Sequence, residues 1–91
     1  MDDIKKSIEN LEESLQMEKG TLENSFVQLD SLSASHLLSR MIEEIITGIA
    51  TSPAVFKRPY MAEGVACVIS NLTLLRTLFM DDYANGNDTI H

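Results

Sequence analysis

The spacing of large apolar residues in the first third of the chain most constrains its fold. These residues recur at intervals of about four and three, or their sums, which places them on one stripe of a helix. The stripe consists of Ile4, Ile8, Leu11, Leu15, Leu22, Leu29 and Leu32. Glu18 and Ser25 interrupt it, and Gly20 weakens it by about 1 kcal/mol relative to Ala. We expect a helix over residues 3–19 that either continues through Gly20 or restarts at Thr21.

Two further helices are predicted, near residues 35–51 and 59–82. The first is expected to have Ser33 or Ser35 at its N-cap, because serine hydroxyls accept hydrogen bonds from free backbone N–H groups. Its broad apolar face comprises Leu37, Leu38, Met41, Ile42, Ile45, Ile46 and Ile49. The apolar stripe of the second comprises Met61, Val65, Val68, Ile69, Leu72, Leu75 and Phe79. Pro53 and Pro59 restrict the residues between the helices to a single helical turn or an irregular loop.

These patterns predict an all-α protein without a strand, built as a small helical bundle or helical hairpin. Its N-terminal helix is long and either continuous or broken. We expect one helical domain over residues 1–84 and a flexible tail over 85–91. A chain of 91 residues buries only about 60–65% of its unfolded surface, and aromatic residues make up just 5% of this one. The sequence therefore favours a homo-oligomer or an obligate protein partner.

The charge and the ends of the chain bear on partners and location. The formal net charge of −7 argues against direct binding to nucleic acid or to an anionic membrane. Acidic residues open the chain where a secretory signal would be basic, and neither of the two most apolar windows provides the roughly 20 apolar residues of a membrane span. The single cysteine excludes an internal disulfide. We expect a cytoplasmic protein that does not bind membranes.

No residue pattern indicates catalysis, and we predict no catalytic residue, metal site or cofactor. Cys67 lies in an apolar run and is expected to be a small buried hydrophobe rather than a nucleophile. His36 lies near the start of the second predicted helix, and His91 is the last residue. The chain has neither metal-ligand spacing nor a phosphate-binding glycine loop.

The first functional hypothesis is a protein–protein interaction module, such as an adaptor, chaperone or inhibitor, that acts through apolar helix faces. The residues predicted to form its partner interface are Leu11, Leu15, Leu22 and Leu29. Its size and helical pattern resemble those of small helical proteins secreted by, or chaperoning for, specialised bacterial secretion systems, although the Trp-x-Gly turn that marks one large group of them is absent. Its size and acidity resemble those of small phage-encoded proteins that inhibit host enzymes or sequester signalling nucleotides.

The alternative hypothesis is a protein that binds or sequesters a small anion, such as a nucleotide or a phosphorylated metabolite. Two neighbouring basic residues, flanked by aromatic residues, precede a predicted helix N-terminus, where free N–H groups favour anions. The predicted ligand-binding residues, placed at an interface between protomers, are Phe56, Lys57, Arg58, Tyr60 and Arg76. The simpler interpretation is a solvated loop whose basic residues pair with the protein's own carboxylates.

Overall fold

The computed structural model describes residues 2–86, of which 82% are helical and none is in a strand. The prediction of an all-α protein is confirmed. The helices are α1 (Asp2–Ser14), α2 (Thr21–Phe26), α3 (Ser31–Thr51), α4 (Pro53–Phe56) and α5 (Pro59–Ala84). Most of the predicted C-terminal tail, residues 87–91, lies outside the described residues.

The first helix ends at Ser14, five residues before the predicted end. Its last turn closes with Gln16 in the left-handed region at φ 57°. The Met17 N–H donates to the Glu12 carbonyl over 2.9 Å, and the Gln16 N–H donates to the Glu13 carbonyl over 3.0 Å. This pair of bonds is the Schellman arrangement that ends many helices. The chain restarts as a helix at Thr21, directly after Gly20, whose φ of 96° is readily adopted only by glycine.

The third helix begins earlier than predicted, and its N-cap is Asp30 rather than Ser33 or Ser35. The Asp30 Oδ1 atom accepts a hydrogen bond from the Ser33 N–H over 2.7 Å. Hydrogen bonds from Ser33 also hold the pKa of Asp30 below its usual value. Ser35 is buried one turn further on, and its hydroxyl donates to the Leu32 carbonyl over 2.7 Å. The predicted turn after Pro53 and the helix that starts at Pro59 are both confirmed.

Helix α5 packs against both α1 and α3. It runs antiparallel to α3, because the Ser31 hydroxyl donates to the Asp82 carboxylate over 2.6 Å and Arg76 donates to the Ser39 hydroxyl over 3.4 Å. The Phe26 and Phe79 rings also meet in the core, with centroids 5.6 Å apart. The buried apolar residues are Ile8, Leu11, Phe26, Ala34, Leu38, Ile42, Leu72, Leu75 and Phe79.

The core occupies only one end of the α3–α5 pair. Of the described side chains between residues 43 and 71, none is buried. At about 1.5 Å per residue, α1 is about 20 Å long and α5 about 39 Å, so α1 covers only half of α5. The uncovered part, residues 45–68, is called the distal segment below. The prediction that Cys67 is buried is wrong, because Cys67 lies in this segment and is exposed.

Candidate partner-binding groove

An apolar groove runs along the distal segment between α3 and α5 and has a volume of about 630 Å³. Each helix contributes one row of residues at the i, i+3, i+4, i+7 spacing of a helix face. The row on α3 is Met41, Glu44, Ile45 and Gly48, and the row on α5 is Met61, Gly64, Val65 and Val68. Ser14, Leu15 and Gln16 close one end of the groove. The groove therefore begins where α1 ends.

The helices around the groove are almost free of charge. Between residues 45 and 75 the only charged residues are Lys57, Arg58 and Glu63. Large apolar side chains nevertheless remain open to solvent there, including Ile46 and Val55, which are 54% and 46% exposed. A solvated helix surface normally carries charged and polar residues. The distal segment has instead the composition of a surface that another apolar surface covers.

Gly48 is the last residue of the α3 row, and Gly64 is the second residue of the α5 row. Neither has a positive φ, so neither position needs glycine for its backbone conformation. A Cβ built on either residue would meet no described atom within 4 Å, apart from its sequence neighbours and its own helix backbone. Glycine inside a helix costs about 1 kcal/mol relative to alanine. Nothing within the described chain compensates for this cost, but close approach by a second backbone would use both glycines.

A buried carboxylate fixes the end of the groove that α1 provides. Glu12 is only 2% exposed and accepts three hydrogen bonds at the start of α2. Its Oε2 atom accepts from the Leu22 N–H over 2.8 Å and from the Glu23 N–H over 3.2 Å, and its Oε1 atom accepts from the Gly20 N–H over 3.1 Å. Glu12 therefore caps α2 from a distance and holds the turn after α1 in place.

The surroundings of Glu12 act on its pKa in opposite directions. Burial raises the pKa by disfavouring the charged form. The hydrogen bonds from Gly20, Glu23 and Leu22 lower it, together with the positive charge of Lys19. The balance leaves the pKa of Glu12 below its ordinary value of 4.5. The carboxylate is therefore ionised at neutral pH and serves as a strong acceptor for α2.

The four leucines predicted to form the partner interface have different surroundings. Leu11 is fully buried, and Leu22 and Leu29 pack against the core. Leu15 is 36% exposed and lines the groove. Of these residues, Leu15 is the one placed to touch a partner in the groove.

The residues predicted to bind an anion are not brought together within the chain. Lys57, Arg58 and Tyr60 are exposed around the connection between α4 and α5, with Tyr60 70% exposed. Arg76 lies 18 residues from Arg58, about 27 Å further along α5, and contacts Ser39. The side chain of Phe56 lies outside the described part of the structure.

Gly48 was missed at the sequence level, whereas Gly64 belongs to a set of small residues, with Ala62, Ala66 and Ser70, that predicts close approach of another helix. The near absence of charge between residues 45 and 75 was the available signal.

Among residues 2–86, no three His, Cys, Asp or Glu side chains gather as a metal site would require. By length and composition, α5 is the one described helix that qualifies as a membrane span, with a mean hydropathy of 1.3 over a window that is 17% buried. Core helices of soluble proteins meet the same criterion.

No protein-family model, curated protein or solved structure matches the chain.

Proposed function

We propose that this chain is a non-catalytic protein–protein interaction module that receives an apolar helix face in the groove between α3 and α5. The observation that carries the proposal is the contrast between composition and burial. The distal segment is apolar and nearly free of charge, yet none of its described side chains is buried. A helix laid into a groove contributes apolar side chains at i, i+3, i+4 and i+7, which is the spacing of both groove rows.

The existing contact of α1 with α5 supports a helix as the occupant of the groove. Helix α1 packs on α5, and its end closes the groove at Leu15. A partner helix placed beyond Leu15 would extend the line of α1 and cover the remainder of α5. We propose that the protein forms a complete small helical bundle only when this second position is filled.

Photo-cross-linking in the cells that carry the protein tests the proposal. Benzoylphenylalanine is placed at Met61, which lines the groove, or at Ser70, which is an exposed α5 residue outside it. We expect a protein adduct from position 61 that is absent from position 70. Val65→Glu in the same chain places a charge in the groove and should abolish the adduct, while circular dichroism verifies that the helices remain.

Other outcomes of the cross-linking experiment would contradict the proposal. Equal adducts from Met61 and Ser70, no adduct from either, or an adduct with lipid alone would each contradict a protein-binding groove. An adduct that survives Val65→Glu in a chain with unchanged helicity would do so as well.

A further inference from the structure

We infer that the apolar helix face received by the groove belongs to the distal segment of a second copy of this chain, packed antiparallel about a two-fold axis. The inference rests on the proposed function and names its partner. A two-fold interface requires a surface that complements itself. The distal segment meets this requirement because it is apolar, with the basic pair Lys57 and Arg58 at its tip and the acidic pair Glu43 and Glu44 directly before its first residue.

The two ends of the segment carry opposite net charges, because Lys57 and Arg58 outnumber Glu63 at one end and Glu43 and Glu44 outnumber Arg40 at the other. Lys57 and Arg58 are exposed at the connection that leads into α5. Glu43 and Glu44 are exposed at the other end, and Glu44 lines the groove. When two copies overlap head to tail, the basic pair of each copy reaches the acidic pair of the other. A parallel overlap would place like charges together, which disfavours it.

The same overlap brings the glycines to its centre. Ser39 lies opposite Arg76 in the antiparallel pair. Because both helices rise by the same distance per residue, Glu44 on α3 lies level with about residue 71 on α5. When Arg58 of one copy lies level with residue 71 of the other, the centre of the overlap is the midpoint between these two positions. On α5 this midpoint lies between Gly64 and Val65. Gly48 lies within about one turn of this midpoint on α3. Gly48 and Gly64, where an added Cβ would meet no described atom within 4 Å, thus lie near the place where two backbones would cross.

Analytical ultracentrifugation of the purified protein tests the arrangement, with variants in which the charges at one end or the other are reversed. We expect the unmodified chain to sediment as a dimer of twice its 10.1 kDa mass. Chains with Lys57→Glu and Arg58→Glu, or with Glu43→Lys and Glu44→Lys, should each dimerise at least tenfold more weakly, because like charges then meet at both ends. A mixture of these two chains should recover dimers, because every end contact is attractive again.

Chains with Ser33→Lys and His36→Lys serve as the matched control, since they carry two added charges at exposed α3 positions in its N-terminal part, far from the distal segment. They should dimerise as the unmodified chain does. A monomeric unmodified chain would overturn the inference, as would charge-exchanged chains that dimerise normally or a mixture that stays monomeric.

The cross-linking experiment above separates this inference from the function beneath it. An adduct from Met61 with the mass of two copies supports both. A groove-specific adduct with a different protein leaves the interaction module standing and overturns the second copy as its partner. An adduct with lipid overturns both.

Discussion

Replacing Gly64 with alanine should strengthen the isolated fold and weaken the pairing of two copies. Gly64 lies in regular helix within α5, and no described atom outside its own helix backbone and its sequence neighbours would lie within 4 Å of the new methyl group. The substitution therefore gains the full helix-propensity difference between glycine and alanine, about 1 kcal/mol. For a domain of this size, this corresponds to a rise in Tm of about 4–8 °C.

The same methyl group should oppose association. At the proposed crossing point it would separate two backbones, and overpacking of this kind costs about 1–3 kcal/mol. The dimer dissociation constant should therefore rise by about five- to 150-fold. Urea denaturation at a protein concentration well below the dissociation constant measures the first effect, and sedimentation equilibrium measures the second.

Gly20→Ala provides the matched control. It is the same chemical change at another position with no atom nearby, but the φ of 96° there disfavours alanine. Gly20→Ala should lower stability by about 1 kcal/mol or more and leave pairing of the folded chains unchanged. A Gly64→Ala chain that is no more stable as a monomer would refute the claim that the added methyl group meets no neighbouring atom. One that is more stable but pairs normally would refute the crossing point.

Three further predictions concern the α1–α2 region. Glu12→Gln should destabilise the fold by about 2–3 kcal/mol at pH 7, because three N–H donors lose an ionised acceptor. The folded-state pKa of Glu12 is lowered, so its contribution is present above pH 4.5 and is lost as the pH falls through the folded-state pKa. Urea titrations at pH 7 and pH 3 should thus show a difference from the unmodified chain that shrinks in acid, and a constant difference would contradict the ionised cap. Ser7→Ala should stabilise by about 1 kcal/mol in thermal unfolding, because the buried Ser7 hydroxyl has no hydrogen-bond partner among the described residues; a loss of stability would mean that the hydroxyl is satisfied. Gln16→Gly should raise the urea midpoint by relieving the left-handed backbone at φ 57°, with a gain of about 1 kcal/mol, and an unchanged or lower midpoint would argue against strain there.

Much of the helical organisation follows from local chemistry and was predictable. Proline fixes φ and removes a hydrogen-bond donor, so Pro53 and Pro59 mark the turn and the start of α5 without reference to distant residues. The end of α1 was not predictable in this way. It depends on a left-handed glutamine and on a carboxylate that reaches N–H groups eight to eleven residues further along the chain.

The candidate site was harder to predict than the helices. Apolar periodicity identifies the face of a helix that avoids water but not the element that covers it. Cys67 illustrates the limit, because its run of apolar neighbours resembles a core and yet its side chain is exposed. The groove emerges only when the lengths of α1 and α5 are compared.

The uneven core has a consequence for how the chain opens. Amide protons of α3 near Leu38 and of α5 near Leu75 lie among buried side chains and should exchange with solvent only when the whole chain unfolds. Amides near Ile46 and Val65 have no such cover and should exchange through brief local openings. A single helix would then carry slow exchange at one end and rapid exchange at the other. Filling the groove would extend slow exchange along the full length of both helices and make the molecule one cooperative unit.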